Sequence, residues 1–115
     1  LTSTSEERMQ NELLINASIN DTIVKYAQNA KEAGLDGVVC SPLEAGMVKE
    51  NCSKAFMTVT PGVRFADGDV GDQVRVTTPA KAKEIGSDYI VVGRPITASD
   101  DPVSAYRRCV KEFVG

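Results

Sequence analysis

Two short segments of this chain carry the residue types that hold a phosphate. Thr60-Pro61-Gly62-Val63-Arg64 and Gly93-Arg94-Pro95 each join a glycine to an arginine just after an apolar run. Arginine offers a planar, permanently charged fork that matches phosphate oxygens. Glycine lets a backbone N–H come close to an anion. Each pair also has a plainer reading, because a glycine after a strand makes a turn and a surface arginine is solvated. Together they point to a phosphate site. The polar stretch from Arg64 to Gln73, with Gly68 and Gly71, adds a long loop of the kind that closes over a ligand. Its acids Asp67, Asp69 and Asp72 have the chemistry for catalysis or metal binding, and the plainer role of solvating the loop. Lys81 and Lys83 fall on a helix surface and read as solvated.

The absences are as informative. The chain contains no histidine, which excludes a Ser-His or Cys-His catalytic pair and a His-ligated zinc site within it. Cys40, Cys52 and Cys109 match no C-x-x-C spacing and are odd in number. They read as free thiols in a reduced, cytoplasmic setting, and as small buried apolar side chains. With 13 Lys+Arg against 16 Asp+Glu, the net charge of −3 gives no electrostatic reason to expect nucleic acid or an anionic membrane. No apolar run reaches the roughly 20 residues that a membrane span needs, and no signal peptide opens the sequence. The sequence opens on Leu1 rather than Met, which reads as a processed product or a fragment.

The elements that must position the glycine–arginine pairs follow from periodicity and caps. The pattern predicts a helix over Asp21 to Ala33, capped by Asn20 or Asp21 and stopped at Gly34. It then predicts a strand at Val38-Val39-Cys40, ended by Ser41-Pro42, and a short helix over Leu43 to Lys49. A strand over Phe56 to Thr60 precedes the first glycine–arginine segment. Thr78 caps a helix with Pro79 at its first position, running to Gly86. Tyr89 to Val92 is an apolar, β-rich strand, and a last helix starts near Asp100-Asp101-Pro102. Leu1-Thr2-Ser3 reads as the end of one more strand, and Met9 to Leu14 as a further helical turn or two. Apolar strands alternating with amphipathic helices make an α/β chain with a parallel, helix-covered sheet and no internal boundary over 1–115. In such sheets ligands bind beyond the carboxyl ends of the strands, where Thr2-Ser3, Ser41-Pro42 and the two glycine–arginine segments lie.

Thr60-Pro61-Gly62-Val63-Arg64, Gly71-Asp72-Gln73 with Thr78-Pro79, and Val91-Val92-Gly93-Arg94-Pro95-Ile96, in this order, resemble the C-terminal half of the orotidine 5′-phosphate decarboxylase family. The resemblance covers essentially the whole chain. It implies a (β/α)8 TIM barrel of which this chain is strands five to eight, and a homodimer with sites at its interface. It implies decarboxylation of orotidine 5′-phosphate to uridine 5′-phosphate, a step of pyrimidine synthesis, with no cofactor and no metal. By matching motifs, Thr2 would hydrogen-bond the pyrimidine region. Arg64 would stand at the base of the mobile phosphate loop and contact the ligand. Gln73 would bridge phosphate and base, Gly93 would donate its N–H to the phosphate, and Arg94 would pair with it. The family's Asp-x-Lys-x-x-Asp catalytic pattern has no counterpart after any strand here, so the catalytic residues are expected in an N-terminal half. A full barrel takes on the order of 200 to 250 residues. The lone chain is therefore expected to be inactive, to need that half, and not to persist as a stable monomer. Two other readings stay open. One is another phosphate-binding barrel, a sugar-phosphate decarboxylase or epimerase. The other is a non-catalytic half-barrel that self-associates.

Overall fold

The computed structural model describes residues 1–66 and 77–115. Four of its helices begin where a side-chain oxygen accepts from an N–H that the helix itself cannot satisfy. Ser5 caps α1 (Glu6–Asn11), Ser18 caps α2 (Ile19–Glu32), Thr78 caps α4 (Pro79–Ile85) and Asp101 caps α6 (Pro102–Phe113). Proline occupies the first helical turn of both α4 and α6, where its missing N–H costs nothing. Helix α2 starts earlier than its periodicity predicts, because the Ser18 hydroxyl, not Asn20 or Asp21, accepts the Asp21 N–H at 3.1 Å. Helix α1 also starts upstream of the predicted Met9–Leu14 turn, at Glu6, and ends at Asn11. Leu14 has φ 58°, a left-handed backbone that no helix can include.

Three parallel strands form the sheet in the order β1-β2-β3: Gly37–Val39, Met57–Thr60 and Tyr89–Ile90. Gly37 permits the tightest approach in the sheet, since a Cβ there would collide with the Met57 carbonyl of the paired strand. After β1, Ser41 and Glu44 close a capping box around a single 3-10 turn, Pro42–Glu44, and α3 (Ala45–Asn51) follows. The predicted helix over Leu43 to Lys49 is thus a 3-10 turn joined to a later helix. The last strand is shorter than the predicted Tyr89–Val92. The Val91 N–H still reaches Thr60 O at 3.0 Å, after which the chain leaves the sheet. It enters the one-turn helix α5 (Arg94–Thr97), for which the sequence pattern predicts no helix. Leu1-Thr2-Ser3 forms a turn rather than strand, with the Thr4 N–H on Leu1 O.

The register divides the sheet into two unlike faces. Val38 pairs with Thr58, and Thr60 with Ile90, so these four share one face. On it, Val38 packs against a core of Ile23, Ala27, Cys40, Ala45, Val48 and Phe56, supplied by α2, α3 and the strand flanks. Thr58 and Thr60 are wholly buried there, and each has partners. Thr58 meets Asp88, and Thr60 Oγ1 lies 2.5 Å from Ser87 Oγ. On the other face stand Val39 (65% exposed), Met57 (45%) and Tyr89 (57%), with no described helix over them. At the amino ends of the strands, Lys49 Nζ lies 2.6 Å from Asp88 Oδ2 and also donates to the Phe56 carbonyl.

Candidate functional site

The carboxyl ends of β2 and β3 turn outward around one hollow of about 280 Å³. Pro61, Gly62, Val63 and Arg64 wall one side; Val91, Gly93, Arg94 and Pro95 wall the other. The structure therefore brings the two glycine–arginine segments together. Adjacent parallel strands put their carboxyl ends side by side, so motifs 30 residues apart in sequence become opposite walls.

Arg64 is the unusual residue of this hollow. It is only 7% exposed, and its Nε has no hydrogen-bond partner among the described residues. A buried donor without an acceptor costs about 1–3 kcal/mol, and more when it carries charge, so such a group marks a place where a further acceptor fits. Its backbone is fixed: the Arg64 N–H donates to Thr77 O at 2.9 Å, and Val63 bridges in parallel to Thr77. Val63 is 1% exposed and anchors the segment in the interior. Across the hollow, Gly93 precedes the one-turn helix α5, and its carbonyl accepts from the Ile96 and Thr97 N–H groups. A Cβ on Gly93 would meet no heavy atom within 4 Å. Packing within the chain therefore does not demand glycine here, and the space beside its backbone is open to a ligand. Arg94 is exposed at the head of α5.

The other predicted site residues lie elsewhere. Thr2 is half-buried in a separate hollow of about 100 Å³ along the β1 edge, among Leu1, Tyr26, Val39 and Cys40. Gln73 lies outside the described residues, as do Asp67, Asp69 and Asp72. Lys81 pairs with Glu84 at 3.5 Å, and Lys83 donates to the Val114 carbonyl, so both are occupied at the surface. Burial pushes the Cys40 thiol up to about 12 and raises that of Cys109, so both are poor nucleophiles. Among the described residues no three His, Cys, Asp or Glu side chains gather as a metal site would require. No described helix is long and apolar enough to cross a membrane. One contributor escaped the sequence reading. Phe65, next to Arg64, packs its ring against Arg108 of α6, a contact between residues too far apart for any local pattern to signal.

Residues 1–109 match the profile of the Orotidine 5'-phosphate decarboxylase / HUMPS family. The chain belongs to that family. It is 54% identical over 115 residues to the orotidine 5'-phosphate decarboxylase of Bacillus caldolyticus, and 50% identical to that of Geobacillus sp. (strain WCH70). All of the chain aligns in both cases, against 47% and 48% of those proteins, so it spans about half the length of the curated relatives it matches. Among solved structures, orotidine 5'-phosphate decarboxylase from Lactobacillus acidophilus superposes with a TM-score of 0.83 at 43% identity, over 100% of this chain and 46% of that one. An uncharacterised conserved protein from Geobacillus kaustophilus gives 0.78 at 42%, over 98% of this chain and 45% of that one. The orotidine 5'-phosphate decarboxylase family folds as a TIM barrel, and the described residues form a three-stranded parallel region consistent with part of one.

Proposed function

We propose that this chain is the C-terminal half of an orotidine 5′-phosphate decarboxylase barrel, strands five to eight, and that it holds the phosphate of the nucleotide. One observation carries the reading: Arg64 is buried with its Nε unpaired on the same hollow that Gly93 and Arg94 line. In this reading Arg64 and Arg94 grip the phosphate oxygens and Gly93 donates its N–H. Gln73 spans phosphate and base, and Thr2 meets the pyrimidine. Phosphate binding is remote from the reacting carbon. Its energy serves the reaction by holding the pyrimidine in place and excluding water.

The charged groups that destabilise the substrate carboxylate and protonate the product carbon belong to the complementing half. The chain alone binds weakly and turns over nothing, and the complete enzyme is a cytoplasmic homodimer that works without cofactor or metal. The bare sheet face supports the need for a partner. Val39, Met57, Tyr89 and Val91 stand 65%, 45%, 57% and 50% exposed, an apolar surface of the kind that seeks cover.

Calorimetric titration with uridine 5′-phosphate tests the site. Removing an arginine–phosphate contact costs about 1.5–3 kcal/mol, so Arg94→Ala should weaken binding roughly ten- to hundredfold. Equal affinity in the two proteins would overturn the reading. Tighter binding of a pentulose phosphate than of uridine 5′-phosphate would move it to a sugar-phosphate decarboxylase or epimerase.

A further inference from the structure

We propose that Arg108, on the last helix, is a positioning residue for Arg64; the inference rests on the phosphate-site reading above. Helix α6 reaches a neighbour of each wall of the hollow. It packs against α5, which begins with Arg94, and through Arg108 it holds the residue that follows Arg64. The Arg108 guanidinium carbon lies 4.0 Å from the centroid of the Phe65 ring, at stacking distance for a cation on an aromatic face. Glu112, one turn further along α6, accepts from Arg108 Nε at 2.8 Å and fixes the plane of the guanidinium. Arg64 is thereby pinned from both neighbours. Val63 is tied to Thr77 on one side, and Phe65 is tied to α6 on the other.

This geometry accounts for how a buried arginine with a spare donor is held beside the hollow it lines. A guanidinium on a flexible stem would otherwise turn towards any available carbonyl. With both flanking residues held, the Arg64 Cα–Cβ direction is fixed, and its burial leaves the side chain little room for other rotamers. Because α6 also packs on α5, the separation between Arg64 and Arg94 is set by one helix. Arg108 touches no ligand in this arrangement and acts on Arg64 through Phe65.

The test compares wild type with Arg108→Met, which keeps the apolar stem, Phe65→Leu, their combination, and Arg108→Lys. A cation–π contact at a partly exposed site corresponds to roughly a two- to fivefold change in affinity. Arg108→Met and Phe65→Leu should each weaken uridine 5′-phosphate binding by that factor. The double variant should lose no more than either single, and Arg108→Lys should retain most of the affinity. Amide exchange at the Arg64 N–H should accelerate in Arg108→Met, while the Thr58 N–H in the sheet and the amides of α6 keep their wild-type rates. Wild-type affinity in Arg108→Met, beside a weakened Arg94→Ala, would overturn the inference and leave the site reading standing. Losses that simply add in the double variant, or faster exchange throughout α6, would also overturn it. If Arg94→Ala too binds as wild type, the site reading itself fails, and the inference with it.

Discussion

Replacing Arg64 with methionine should make the protein more stable and less able to hold phosphate. Arg64 is 7% exposed, and its Nε donates to no described residue. Leaving that donor buried costs about 1–3 kcal/mol, and methionine fills a similar length without a polar atom. Some of the gain is lost to imperfect packing, so a net stabilisation of about 1 kcal/mol is expected. For a domain near this size that corresponds to a rise in Tm of about 4 °C or more. Uridine 5′-phosphate should act in the opposite sense. At a concentration of about 100 Kd a ligand stabilises the native state by roughly 2.7 kcal/mol, and in Arg64→Met most of that shift should vanish. Thermal unfolding of both proteins, with and without the nucleotide and at one fixed protomer concentration, reads both effects. A variant that is less stable than wild type, yet keeps the full ligand shift, would refute the argument. It would show that Arg64 is satisfied within the chain and serves packing alone.

Four further outcomes follow from other parts of the structure. Burial opposes ionisation of Asp88, but the Lys49 ammonium and the Thr58 N–H outweigh it and hold the carboxyl below its usual range. Its stabilising effect is therefore present above the ordinary carboxylate pKa and is lost as pH falls through about 4 and below. Because Asp88 is 36% exposed, Asp88→Asn should cost only about 1 kcal/mol, and urea titrations at neutral pH and near pH 3 should show that cost shrinking in acid. Gly37→Ala forces β1 away from the Met57 carbonyl, so a loss of about 1–3 kcal/mol is expected in the same titration. Mass spectrometry of timed iodoacetamide labelling at pH 8 should find Cys52 modified before the buried Cys40 and Cys109. Light scattering should find the lone chain associated rather than monomeric, and a monodisperse monomer would contradict the proposed need for a partner.

The sequence carried the β–α alternation because its signals are local. Thr78-Pro79 and Asp101-Pro102 marked helix starts that the structure keeps, and Gly86, with φ 107°, ends α4 where a left-handed residue is needed. Errors gathered where a competing cap stood nearby, as at Ser18, or where a strand was cut short by a turn of helix, as at Gly93. The glycine–arginine segments were legible as chemistry. That they face one another is a consequence of strand order, which no local pattern encodes. The placement of Thr2 in a separate hollow and the stacking of Phe65 on Arg108 were illegible for the same reason, since both depend on tertiary packing.

The two ends of the sheet treat their polar groups in opposite ways, and the contrast locates function. At the amino ends, Lys49, Asp88 and Thr58 satisfy one another: Lys49 binds Asp88 and the Phe56 carbonyl, and Asp88 takes the Thr58 N–H at 2.9 Å. Such a closed network stiffens the start of β2 and β3 and leaves nothing over for a ligand. At the carboxyl ends, the same two strands lead to a buried arginine with a spare donor and a glycine beside open space. A chain under selection for stability alone would close both ends. Cost left unrecovered at that end, among the described residues, supports the proposed reading of a site whose missing partner is an anion. The paired end should accordingly tolerate substitution only at a cost in stability, and the open end only at a cost in binding.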